Sequence, residues 1–172
     1  MAVVTGSIRV GTLSTQTPTT LPGTITPATV TQSINTTFGN ATTADNVDLK
    51  YTATLTFTAS TAQTLDLTAL TDIYGGTVNF ARIRSITISI TSPTTDGATL
   101  TIGAAGTNPW AAILGTTGTY IMQAPTSTNA SMWIATAPNT TGWITGGSSK
   151  NLKLTPSAHA IVAAIEIMGA SA

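Results

Sequence analysis

Three tryptophans, Trp110, Trp133 and Trp143, are the side chains best suited to recognising another molecule. An exposed indole on a loop can stack on a sugar ring or anchor a protein interface, whereas a buried one fills a core. The sequence leaves both uses open. Trp133 is opposite in phase to Met132 and Ile134, so something must cover at least one of those two faces.

Groups that could make or break bonds are scarcer. Proton transfer and nucleophilic attack need a base beside a nucleophile, and His159 is the only imidazole. It lies between two alanines just after Pro156 and reads as a loop or strand-edge histidine. A zinc site would draw on several histidines, on histidine with clustered carboxylates, or on thiolates; the chain has one histidine and no cysteine. Asp45, Asp48, Asp66, Asp72, Asp96 and Glu166 are dispersed, without the D-x-D-x-D-G spacing of a calcium loop. Gly103-Ala-Ala-Gly106 lacks the Lys-Ser/Thr that completes a phosphate loop and reads as a turn. The Asn-x-Ser/Thr triplets at Asn35, Asn40, Asn129 and Asn139 are what a chain with 40 threonines produces by chance. The expectation is a protein that is not an enzyme and holds no cofactor and no metal.

Charge narrows the partners. Six basic residues balance six acidic ones, and 7% of residues are charged, against roughly 25% in ordinary soluble chains. Nucleic-acid affinity comes mostly from Lys and Arg neutralising phosphates, so no nucleic-acid partner is expected. Arg82 and Arg84, one residue apart, read as a solvated or ion-paired strand face. No apolar run approaches the 18 or so residues that span a bilayer, and the first residues lack a basic region followed by an apolar stretch. Neither a membrane partner nor an export signal is expected, and synthesis is placed in the cytoplasm.

The elements that must position these residues are strands. Threonine's branched Cβ favours extended backbone. Tyr51, Ala53, Leu55, Phe57 and Ala59 alternate with Thr52, Thr54, Thr56 and Thr58, the period-two signature of a half-buried strand. Leu65 with Leu67, Val78 with Phe80, and Ile86, Ile88 and Ile90 continue the pattern. Leu100 with Ile102, residues 120–122, 132–134, Leu152 with Leu154, and residues 161–168 complete it. Glycine- and proline-rich turns separate these runs. Helix has little room; single turns at 109–114 and 68–73 are the best candidates. In phase with the isoleucines, Arg82 and Arg84 would enter the core, so a bulge near Ile83 is predicted. The last strand is apolar on both faces apart from Glu166 and must be central or covered by another subunit. The fold class is therefore all-β, an antiparallel β-sandwich of jelly-roll type over residues 49–172. Residues 1–48, with Pro18, Pro22 and Pro27, read as an extended Thr/Pro-rich arm, with one short strand formed by Val3-Val4 and Ile8-Arg9-Val10.

Several motifs carry a likeness. Leu65-Asp-Leu-Thr-Ala-Leu-Thr-Asp72, Gly75, Val78-Asn-Phe-Ala-Arg-Ile-Arg84, the isoleucine strand, the Asn108-Pro-Trp110 loop and the terminal Ile-Glu-Ile-Met-Gly-Ala-Ser-Ala resemble small proteins encoded among the structural genes of tailed bacteriophages and prophages. The likeness covers residues 49–172 and implies a virion component: a capsid decoration or cement protein, or a tail or fibre accessory. Its implied partners are the major capsid protein or other virion proteins, and copies of itself, with a trimer the expected symmetry. The rival is a carbohydrate- or receptor-binding module using Trp110, Trp133 or Trp143. A surface-layer or adhesin domain is a third class.

Overall fold

Alternating runs can bury only one face each, so they must stack. The computed structural model describes residues 6–16, 28–43, 46–92, 97–125 and 131–172, with residues 6–37 and 104 as backbone alone. The strands are β1 (Gly6–Gln16), β2 (Ala28–Asn40), β3 (Asn46–Val47), β4 (Leu49–Phe57), β5 (Gln63–Asp66), β6 (Leu70–Thr71) and β7 (Thr77–Val78). Beyond them run β8 (Arg82–Ser92), β9 (Thr99–Ala104), β10 (Thr119–Gln123), β11 (Ser131–Thr136), β12 (Trp143–Ile144), β13 (Asn151–Pro156) and β14 (Ile161–Ala170). Among the described residues there is no helix.

Two antiparallel sheets form a sandwich. One has the order β11-β8-β14-β4, with β12 also on β8; the other has the order β10-β9-β13-β5. Ile86, Ile88, Ile90, Ile165, Ile167 and Phe57 from the first meet Leu65, Leu100, Ile102, Met122, Leu152 and Leu154 from the second in one buried cluster. Complete burial of a side chain such as Ile88 contributes about 1.5–3 kcal/mol, and this interlayer supplies most of the apolar burial. Residues 112–117 form turns closed by a single Gly115 N–H to Ala111 carbonyl bond of 2.8 Å, so the helical turn expected at 109–114 is not propagated. Residues 67–69 are likewise a turn, and the extended run at Val78 and Phe80 is only the two-residue β7.

The predicted bulge is present. Along β14, Met168 faces Ser85 but Gly169 faces Ile83, so Arg84 is the extra residue on β8. The skip puts both Ile83 and Ile86 in the core and turns Arg84 away from it. Arg84 is nevertheless buried, which replaces the solvated face expected from sequence. Its guanidinium donates to the Asn139 carbonyl and lies 5.7 Å over the Phe38 ring. Arg82 donates to the Thr42 carbonyl. Both arginines thus serve to tie segments of this chain together.

β14 is central, between β8 and β4, one of the two placements its two-sided apolarity allowed. Its outward Met168 is covered by Phe38 and Val47, with Ile134 alongside, in a second small cluster. Those covering residues belong to the expected arm. Within that arm the short strand at Ile8-Arg9-Val10 proves to be part of an 11-residue β1 paired antiparallel with β2, and β2 runs parallel to β3. Val3, Val4, Pro18, Pro22 and Pro27 lie outside the described residues, as do 93–96 and 126–130.

At the bulge the strands approach closely. A Cβ on Gly169 would meet the Arg82 carbonyl oxygen, the Phe80 ring at 2.7 Å and Ile83 Cα at 3.1 Å. Gly169→Ala is therefore expected to destabilise the protein by about 1–3 kcal/mol through overpacking. Urea unfolding checks this; an unchanged midpoint would contradict the register at the bulge.

Candidate functional site

The Asn108-Pro-Trp110 loop is stitched to the start of β13. Asn108, in the left-handed region at φ 48°, offers its carbonyl to the Lys150 and Asn151 amides at 3.1 and 2.9 Å, and the Trp110 amide donates to the Asn151 carbonyl at 2.9 Å. This turns the Trp110 indole inward, where it is 3% exposed and donates through Nε1 to the Ile144 carbonyl at 3.2 Å. Trp143 meets it edge to face, centroids 6.1 Å apart at 86°. Trp133, directly across from Ile88, packs against the sandwich core and stacks on Tyr120 at 5.8 Å and 28°. The structure thus brings two of the three sequence-selected indoles together and leaves the third at another rim. Of the two residues opposite in phase to Trp133, Ile134 is covered by the second cluster and Met132 is exposed.

His159 is exposed in the bend between β13 and β14. The described acids serve separate structural bonds. Asp48 accepts from the Ser171 amide at 2.8 Å and from its hydroxyl at 2.5 Å. Glu166 pairs with Lys50 at 2.7 Å. Asp66 pairs with Lys150 at 2.6 Å and accepts from the Thr68 amide and hydroxyl at 2.9 and 2.6 Å. Asp45 and Asp96 lie outside the described residues. Among the described residues no three His, Cys, Asp or Glu side chains are grouped so as to hold a metal ion.

What the fold does assemble is a neutral surface with an apolar marker. Thr52, Thr54, Thr87, Ser89, Ala164 and Glu166 line a shallow groove of about 340 Å³ over the five-stranded sheet, and Ile73 stands at its edge. Ile73 and Tyr74 also border a second groove of about 640 Å³ that includes Asn40, Asp48 and Lys50. They occupy the tip of the β6–β7 hairpin and are 70% and 90% exposed. The tip is held rigid from beneath: Asp72 Oδ1 accepts from the Tyr74 and Gly76 amides at 2.8 and 2.7 Å, an Asx-type turn. This is one of the glycine-rich turns expected between the strand runs, but the sequence reading did not single out its two bulky residues. Their signal was there, since large apolar side chains inside a short Asp-to-Gly turn have no core to enter.

Such a surface can hydrogen-bond through hydroxyls and bury Ile73 and Tyr74. Comparison with protein-family models, with curated proteins and with solved structures finds no match. The fold is that of an all-β antiparallel sandwich, and no helix among the described residues is long and apolar enough to cross a membrane.

The Asp66 cluster carries a pH dependence. Partial burial pushes its carboxyl up, but the Lys150 ammonium and the two Thr68 donors outweigh that and hold it below the usual carboxylate range. A lowered folded value stabilises the protein above the unfolded carboxylate pKa, about 3.9, and that contribution is lost as pH falls through the folded value. Melting temperatures of wild type and Asp66→Asn are expected to differ most near neutral pH and to converge in acid. A gap that stays constant with pH would contradict this assignment.

Proposed function

We propose that the chain is a structural protein of a tailed-phage virion, a decoration or cement protein that associates with copies of itself and seats a sheet face on the shell. The observation that carries this reading is the outer face of the five-stranded sheet. It presents Thr52, Thr54, Thr56, Thr87 and Ser89 with one ion pair, Lys50 and Glu166. Burying charges against a partner costs several kcal/mol per ion unless each is matched, whereas hydroxyls find backbone or hydroxyl partners at far lower cost. A face of this composition suits close packing on a neutral lattice.

Two further features support it. Ile73 and Tyr74, held out beside that face, are the rigid apolar anchors an interface uses. The β1–β2 ribbon, with 11 residues in β1 and a length of roughly 35 Å at strand rise, pairs with the body through the two-residue β3 and has the reach to lie across a neighbour. The likeness of residues 49–172 to phage structural proteins selects a virion as the setting, with the major capsid protein as partner.

Mass spectrometry of particles purified from the encoding organism tests this directly. The expected result is the chain in fixed ratio to the major capsid protein. Absence from particles, or saturable glycan binding that Trp143→Ala abolishes, would overturn the reading in favour of the binding-module rival.

A further inference from the structure

Residues 97–149 contain no Asp, Glu, Lys, Arg or His. The fold places two strands of that run, β10 and β11, on one rim. Of the four edge strands of the two main sheets, β4 carries Lys50 and β5 carries Asp66, whereas β10 and β11 carry no charge. β10 and β11 lie on the same side of the sandwich, joined by the Tyr120–Trp133 stack. Ile121 and Met132 project from this rim at 59% and 58% exposure.

An open sheet edge presents unpaired backbone donors and acceptors to any extended chain. Sheets that must stay separate guard their edges with charge, proline or a bulge. β10, Thr-Tyr-Ile-Met-Gln, has none of these, and its pairing with β9 is unbroken over all five residues. The edge therefore calls for a strand as its occupant. Charge says which strand: a charged segment would be desolvated here with no counter-charge within the run, so the matching surface is itself neutral and apolar. This chain offers such a surface in the rim itself. Ile121 is the middle residue of β10, so a two-fold axis through it sets residues 119–123 of one copy antiparallel to the same residues of another, and the contact is self-complementary by construction of the symmetry. Tyr120 and Met132 then flank the new ladder.

We infer that the uncharged rim is where two copies of this chain meet, β10 against β10, joining two four-stranded sheets into one continuous sheet. The inference rests on the self-association in the reading above and gives it a surface and a symmetry. It replaces the trimer expected from the phage likeness with a two-fold contact.

The chain has no cysteine, so a single introduced thiol is unique. Ile121→Cys is expected to form a covalent dimer on mild oxidation, while Ile73→Cys, on the remote β6–β7 tip, is not. Native mass spectrometry is expected to show an even-numbered wild-type assembly. In Ile121→Lys the dimer dissociation constant should rise about tenfold or more, equivalent to 1.4 kcal/mol, with the far-UV circular dichroism of a folded sandwich. If the lysine variant unfolds, the thiol pair decides. A trimer with no crosslink at 121 would overturn the rim assignment and leave self-association standing. A wild-type monomer at all accessible concentrations would overturn both, and particle occupancy would still be read independently. Equal crosslinking at 73 and 121 would mark random collision and equally defeat the assignment.

Discussion

The pairing of β14 with β8 is the constraint on which the other elements depend. These two strands form the centre of the five-stranded sheet, and their isoleucines face the second sheet as the main apolar layer. A regular ladder would have aimed Arg82 and Arg84 at that layer, where an uncompensated guanidinium is prohibitive. One skipped residue at Arg84 removes the conflict, and its consequences spread. Ile83 and Ile86 both reach the core, Gly169 becomes the residue that lets the strands close, and Arg84 reaches the Asn139 carbonyl and the Phe38 ring. The loop from β11 to β12 and the end of β2 are therefore placed by the same irregularity that protects the core.

Much of this was legible in the chain because period two is a strong signal wherever one strand face is wet. The runs at 51–57, 86–90 and 161–168 became β4, β8 and β14, and the phase clash of two arginines with three isoleucines located the bulge. The double-sided apolarity of 161–168 called for a strand that is central or covered by another subunit, and β14 is central. It could not say that Phe38 and Val47 of the same chain would cover Met168, since nothing local links positions so far apart in sequence. The length of β1 and its pairing with β2 were missed for a related reason: Ile8 and Val10 mark only a short stretch, and the pairing is visible only between segments. β12 was too short to read, and the approach of Trp110 to Trp143 depends on how the Asn108 turn is tied to β13.

The candidate surfaces follow from composition acting through this fold. With so few charges, the sheet faces are finished with hydroxyls, and most of the described charges are committed to local bonds such as Asp66 with Lys150 and Asp48 with Ser171. What is left over is apolar and concentrated: Ile73 and Tyr74 on one braced tip, Ile121 and Met132 on the uncharged rim. The aromatic residues that sequence reading selected mostly serve the interior, while the exposed ones lie where turns and edges present them. That division, interior indoles and exposed neutral edges, is the physical basis of the proposed association.

Native-state hydrogen exchange, read residue by residue on the intact chain, tests the central role of the β8–β14 ladder most directly. The amides of residues 86–90 and 163–167 are expected to exchange last and together, at the free energy of global unfolding, with the peripheral hairpin at 70–78 opening earlier. Exchange of β14 at the rate of that hairpin, or of β8 and β14 at separate rates, would contradict it.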